Sequence, residues 1–238
     1  DGFKVVSTPN LMHNKFCILD ENIVITGSTN PTNNGLDKNF NNLVVIQSNY
    51  LARNYLQEFE EIKSQRTRQN VKHNPTVYKY IAHNDYLIEN YFCPEDNCEK
   101  HVLEELSKAQ ESVRVMAFSF TSDAIGEMLV SLSERIDVSV LMENRQLNDY
   151  SEYNTLLSGG VPTRLRESDG LLHHKVFIID ESTVILGSYN PTKNGNERND
   201  ENIVIIHDRE LTWPFVEEFF RLWDYGDIEW DYHPWAEG

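Results

Sequence analysis

Basic residues are scarce in this chain: 21 Lys and Arg stand against 38 Asp and Glu, a formal net charge of −17. That balance argues against a broad cationic surface for nucleic acid, because phosphate affinity usually rests on Lys and Arg, and against an anionic membrane surface. A phosphate site must then be local, concave and positively lined. Long hydrophobic runs are also missing. No stretch approaches the roughly 20 apolar residues that span a bilayer, and no signal-peptide pattern opens the chain. The expectation is a soluble protein, cytoplasmic or secreted with its leader removed. The start at Asp1, without Met, fits a lost leader or a longer front end.

Cysteine is sparse, with three residues. Four Cys or His ligands at zinc spacing are absent, so no structural zinc is expected. Cys17 reads as a small buried hydrophobe in an apolar strand. Cys93 and Cys98, in "CPEDNC", can close a loop disulfide in an oxidising compartment. One stretch runs against the acidic background: "EIKSQRTRQNVKHNPTVYKY" carries Lys63, Arg66, Arg68, Lys72 and Lys79, with Tyr78 and Tyr80 among them. Such interleaving suits single-stranded nucleic acid; a solvated helix end running into a linker explains it equally well. The tail, with Asp224, Asp227, Glu229 and Asp231, is not expected to touch a polyanion.

What the chain does have is a duplication. Residues 11–46 and 171–206 align without a gap at an offset of 160, with nineteen of thirty-six positions identical. In each copy "KFCILD" or "KVFIID" reads as a strand, followed by a two-residue turn and a return strand, "IVITGS" or "TVILGS". "NLVVI" and "NIVII" read as strands buried on both faces. A helix follows each, with Phe59 and Phe219 in register. Ahead of the second copy, strands alternate with helices from "LIENYF" to "VPTRLR", which argues for a mixed α/β sheet with helices on both faces. The first copy has only twelve residues before His13.

The shared positions carry chemistry. His13, Lys15, Asp20, Gly27, Ser28 and Asn30 match His173, Lys175, Asp180, Gly187, Ser188 and Asn190. His and Lys alternate along a strand and so project from one face. Ser and Asn lie where the return strand ends. Two such sets facing each other across a pseudo-twofold axis would enclose a tetrahedral anion.

This spacing, H-x-K-x4-D-x6-G-S-x-N, is the HKD motif, and the sequence resembles the phospholipase D superfamily. "CPEDNC", "MAFSFTS" and "GSYNPTKNGNERNDEN" look most like its bacterial and archaeal endonuclease-like branch. Lipid-acting members tend to carry Asp and Arg-Ser after the Asn, where both copies here have Pro-Thr. The resemblance implies an α/β fold of two pseudo-twofold-related repeats, with mixed sheets flanked by helices and the first repeat lacking its N-terminal elements. Residues 1–66 would be the C-terminal part of the first repeat, 67–87 a linker, 88–224 a complete second repeat and 225–238 an acidic aromatic tail.

It also implies a metal-independent, cofactor-free phosphodiesterase. Lys15 and Lys175 would bind nonbridging oxygens, and Asn30 and Asn190 would donate as the phosphorane forms. One histidine would attack and the other protonate the leaving alcohol. The copies differ where Glu201 corresponds to Asn41. An acidic residue at this place in the superfamily tends to hold a catalytic histidine of the opposite half, so His13 is expected as nucleophile, held by Glu201, and His173 as general acid. Both halves lie in one chain, so a monomer suffices for the site.

Structural roles are expected for other residues. Asp20 and Asp180 read as caps or supporting groups, and Ser28 and Ser188 as phosphate contacts or turn braces. His174 points to the opposite strand face. Ser122 with Thr121 should cap a helix, Tyr189 should pack, and His73, His83, His101 and His207 show no partner pattern. The expected substrate is DNA or RNA, single-stranded among the options. Phospholipid is the alternative substrate, and a nucleic-acid-binding module without turnover the third possibility.

Overall fold

The computed structural model describes residues 11–64 and 75–223. Arg66, Arg68, Lys72, His73 and the residues from Asp224 onward, including the acidic aromatic tail, lie outside the described residues.

The first copy forms β1 (Phe16–Leu19), β2 (Ile23–Gly27), α1 (Asn33–Asp37), β3 (Leu43–Gln47) and α2 (Asn49–Ser64). Next come β4 (Tyr80–His83), β5 (Tyr86–Cys93), α3 (Cys98–Leu106), β6 (Ser112–Ala117), α4 (Asp123–Ser133), β7 (Asp137–Glu143), α5 (Tyr153–Ser158) and β8 (Thr163–Arg166). The second copy repeats the first as β9 (Lys175–Ile179), β10 (Thr183–Gly187), α6 (Lys193–Glu197), β11 (Glu201–His207) and α7 (Arg209–Trp223). Both hairpins turn through two left-handed residues, Asp20 and Glu21 in one and Asp180 and Glu181 in the other, all with φ between 50° and 53°. Paired positive φ values match the twist of tight hairpins.

Two mixed-architecture layers result. Strands β1-β2-β3 make a small antiparallel sheet, and the other eight run in the order β4-β5-β11-β10-β9-β6-β7-β8. Strands β6, β7 and β8 are parallel to one another, and β9 joins them antiparallel. The mixed α/β architecture is therefore as expected. One apolar core holds α2, which packs on β1, β2 and β5, through Leu51, Ala52 and Tyr55, and α7, which packs on the large sheet, through Val216, Phe219 and Leu222. The i, i+3, i+6 spacing of the latter three places them on one helix face, and full burial of a residue such as Phe219 stabilises the fold by about 1.5–3 kcal/mol. The far face of the large sheet is covered by α3, α4 and α5.

Several expectations need correcting. Cys17 is exposed. "NLVVI" is not buried on both faces: Leu43 is 53% and Val45 63% exposed, whereas "NIVII" is buried as expected. Phe59 keeps the register of Phe219 but is 48% exposed. One physical reason covers the sheet residues: among the described residues the small sheet is covered on one face only. Residues 80–83, inside the span read as a linker, form the edge strand β4. Cys93 and Cys98 are disulfide-bonded, their Cα atoms 5.8 Å apart.

Candidate active site

The two copies meet by exchanging backbone hydrogen bonds. His13 N–H donates to Asp200 O (3.0 Å) and Asp200 N–H to Leu11 O (3.0 Å); at the matching place His173 N–H donates to Phe40 O (2.9 Å) and Phe40 N–H to Leu171 O (2.8 Å). Each His-x-Lys segment thus docks beside the strand start of the opposite copy. The next residue on that strand then reaches the histidine. His13 Nδ1 lies 2.7 Å from Glu201 Oε2, and His173 Nδ1 lies 2.8 Å from Asn41 Oδ1.

These holders are themselves fixed. Glu201 is fully buried and also accepts from Ser188 Oγ (2.7 Å) and Asn199 Nδ2 (3.1 Å). Asn41 donates through Nδ2 to Gly35 O (2.8 Å), which turns its Oδ1 toward His173 and the Ser28 hydroxyl (3.1 Å). An imidazole facing this oxygen donates from Nδ1, leaving Nε2 free. Both serine hydroxyls accept a backbone N–H, from Asn42 and Asn202 (3.0 Å each), so they brace the turn. Gly27 and Gly187 are required beside them: φ is +151° and +148°, and a Cβ would press on the carbonyl oxygens of Asn42 and Asn202.

Lys15 and Lys175 fold back so that Nζ donates to the carbonyl oxygen of the histidine two residues earlier, at 2.8 Å for Lys175. Burial lowers the Lys15 ammonium to about 8, opposed by the Glu201 carboxylate. Burial, reinforced by Lys15, pushes Lys175 well below its ordinary value. His173, 5% exposed and edge-on to Phe118 at 4.7 Å, is lowered to about 3 by burial, then by Lys175, Lys15 and His13. Four cationic or potentially cationic groups therefore act on one another, and the Glu201 carboxylate opposes the downward shifts of both lysines. Asn190 Oδ1 is shut from solvent and has no hydrogen-bond partner. Asn30 lines a hollow of about 570 Å³ together with His13 and Lys15.

A second network lies behind the first. The residue between His and Lys points inward. Asn14 donates to Glu58 Oε1 (2.9 Å) and accepts from Asn202 Nδ2 (2.7 Å). At the matching place, buried His174 accepts from Asn42 Nδ2 (3.1 Å) and donates to Glu218 Oε1 (3.3 Å). Asn202 Oδ1 also accepts from Tyr55 Oη (3.0 Å) and Thr26 Oγ1 (3.2 Å). Burial holds the Glu58 carboxyl up at about 9, helped by Glu95, Asp200 and Glu61. Asn42, Asn202, Glu58 and Glu218 were not singled out from the sequence, although all are identical across the repeat.

The remaining residues serve the fold. Asp180 accepts backbone N–H groups of Gln110, Glu111 and Ser112, while Asp20 is exposed in its turn. Ser122 Oγ caps α4, and Thr121 N–H bonds Pro191 O. Tyr189 is buried and bonds Asn196. His101 stacks on Tyr91, His207 binds Glu89, and His83 packs on Tyr86. Of the basic stretch, Lys63 pairs with Glu60 and Lys79 with buried Asp96, so neither offers a bare charge to a phosphate.

The chain is similar to known proteins of one superfamily. A family model described as "Cardiolipin synthase, PLD-like domain" matches residues 1–63 and 102–223. A phospholipase D of Rickettsia prowazekii (strain Madrid E) is 29% identical over 135 residues, 56% of this chain and 66% of that protein. The chain thus spans just under two thirds of that relative. A mitochondrial cardiolipin hydrolase of Xenopus tropicalis is 32% identical over 162 residues, covering 64% of this chain and 75% of that one. Among solved structures, Nuc, a phospholipase D family member from Salmonella typhimurium, matches with a TM-score of 0.55 at 30% identity, covering 59% of this chain and 95% of that one.

Proposed function

The chain belongs to the phospholipase D-like family whose model spans most of it, and on that premise we propose that it hydrolyses phosphodiester bonds of nucleic acid through a phosphohistidine, without a metal. The observation that carries the reading is the crossed pair of imidazoles, one held by a buried carboxylate and the other by an amide.

The two partners suit two jobs. His13 attacks phosphorus through Nε2 and becomes cationic as the N–P bond forms; the Glu201 carboxylate on Nδ1 stabilises that cation and fixes the tautomer. The P–O bond to the leaving alcohol breaks as His173 Nε2 gives it a proton. His173 then takes a proton from water, hydroxide attacks phosphorus, the N–P bond breaks and His13 is regenerated. Asn41 orients His173 through a neutral acceptor, so the imidazole gives and takes its proton without a charged partner on Nδ1. An incoming phosphodiester offsets the charge of Lys15 and Lys175, and so favours the protonated His173 that the first step needs. Asn30 and Asn190 donate to the equatorial oxygens.

Two features favour nucleic acid: Pro-Thr after both Asn30 and Asn190, and the similarity to Nuc over nearly that whole chain. A phospholipid reading has its own support in the relatives named phospholipase D and cardiolipin hydrolase and in the apolar lining, Leu11, Met12, Phe16 and Leu36, of the hollow at His13. Incubation in chelator with single-stranded DNA, RNA, duplex DNA and phosphatidyl lipids separates them. Cleavage of a nucleic acid is expected; cleavage of lipid alone overturns the substrate assignment, and binding without cleavage overturns the enzyme.

A further inference from the structure

Each crossed contact at a histidine has an inner twin. His173 Nδ1 meets Asn41 Oδ1 at 2.8 Å, and one residue further along both segments buried His174 Nδ1 meets Asn42 Nδ2 at 3.1 Å. At the matching place His13 meets Glu201 at 2.7 Å, and Asn14 Oδ1 accepts from Asn202 Nδ2 at 2.7 Å. Successive side chains of an extended segment point to opposite sides. The two bonds of each set therefore flank a backbone bond, His173 N–H to Phe40 O in one and His13 N–H to Asp200 O in the other. A backbone bond alone lets one segment swivel about its neighbour; a side-chain bond on each side stops that.

The inner bonds are unequally supported. Asn202 Oδ1 also accepts from Tyr55 Oη and Thr26 Oγ1. Shifted by 160, those two become Phe215 and Leu186, which have no side-chain donor, and Asn42 Oδ1 is buried with no hydrogen-bond partner. The Asn42 side chain is therefore held through its amide nitrogen, by His174. A ring nitrogen accepts that bond in one tautomer only. Glu218 Oε1 faces the other ring nitrogen, Nε2, at 3.3 Å, and Arg221 grips the same carboxylate at 2.7 and 2.8 Å. Burial opposes ionisation of Glu218, but its bonds to His174 and Arg221 hold it below its ordinary value. A carboxylate on Nε2 keeps the His174 proton there and leaves Nδ1 bare for Asn42.

We propose that His174 is a positioning residue for His173. Its bond to Asn42 keeps Asn41 Oδ1 on His173 Nδ1, so that His173 carries its resting proton on Nδ1 and turns a bare Nε2 to the reacting group. Without the inner bond, residues 40–42 pivot about the backbone bond between Phe40 and His173. The Asn41 oxygen then leaves Nδ1, and His173 divides between two tautomers, one of which cannot take a proton at Nε2. The step from tautomer to turnover rests on the phosphodiester reading above; the tautomer itself is a property of the fold. The first copy supplies the conservative replacement, because Asn14 Oδ1 accepts from Asn202 as His174 Nδ1 accepts from Asn42.

Nitrogen-15 spectra of the histidine-labelled 238-residue chain at neutral pH read both tautomers without any substrate. In the native chain His173 should carry its proton on Nδ1 and His174 on Nε2. In His174→Phe and, from the other side, in Asn42→Leu, the His173 signals should move toward a mixture of the two forms, and His174→Asn should restore the single form. With bis(p-nitrophenyl) phosphate, His174→Phe should lower kcat by about tenfold at nearly constant KM, and His174→Asn should recover most of the loss. A single Nδ1–H form of His173 in the folded Phe and Leu variants overturns the proposal. So does a native His174 protonated on Nδ1, a result that needs no variant to fold. Mixed tautomers in the variants of a chain that cleaves no phosphodiester support the positioning role and overturn the phosphodiester reading instead.

Discussion

His13 and Glu201 sit 188 residues apart in sequence and 2.7 Å apart in space, while the matching pair on the other side joins His173 to an amide, Asn41, at 2.8 Å. The duplication supplies two similar half-sites, and a carboxylate in one stands where the other has an amide.

Replacing Glu201 with Gln removes the negative charge and forces a choice between accepting from His13 and from Asn199. Turnover should fall by about 10²–10⁴, well beyond what any loss of folded protein explains, as checked by steady-state rates beside thermal denaturation. A loss under threefold would show that the carboxylate has no part in the chemistry.

Asn41→Asp should give His173 the charged partner that His13 has. A nearby carboxylate favours the imidazolium, so the pH–rate profile should move toward higher pH by about one unit or more. An unchanged profile with altered stability would reduce Asn41 to a packing role.

Anion binding should take up protons. His173 is lowered to about 3 and Lys15 to about 8, and Lys175 and Lys15 are among the causes for His173. An anion between them counters that repulsion and raises all three. Calorimetric titration with vanadate at pH 7, in buffers of different ionisation heat, should show net proton uptake; release would contradict the electrostatics.

Glu58→Gln should be stabilising at high pH. The carboxyl is raised from 4.5 to about 9 in the fold, so the native state holds its proton and loses stability relative to the unfolded chain as pH rises from 4.5 toward 9. Gln keeps an oxygen for Asn14 and cannot ionise. The gain should be near zero at pH 4.5 and reach about 1–3 kcal/mol by pH 8–9, measured by thermal melts.

Most of the site was legible because the chain writes it twice. An offset of 160 marks His, Lys, Ser and Asn together, and the difference between Glu201 and Asn41 gives the two histidines different partners. The inner bonds of Asn14, Asn202 and Glu58 were not read because a polar residue facing inward gives no periodic signal, although repetition of Asn42 and Glu58 at 202 and 218 was available. Leu43, Val45 and Cys17 misled for a physical reason: a continuous apolar run reports that a strand suits burial, and says nothing of what lies over it. Strand β4 was hidden in a stretch whose charges read as a linker, though Lys79 there is tied to Asp96.

The division of labour between the two histidines is tested most directly by trapping the intermediate. A slowly hydrolysed phosphodiester should be mixed with the native protein, quenched in alkali and the peptides mapped by mass spectrometry. Phosphate on the His13 peptide, with His173 unmodified, is the expected result. Phosphate on His173 with His13 bare would reverse the roles, and turnover with no adduct on either would remove the covalent step altogether.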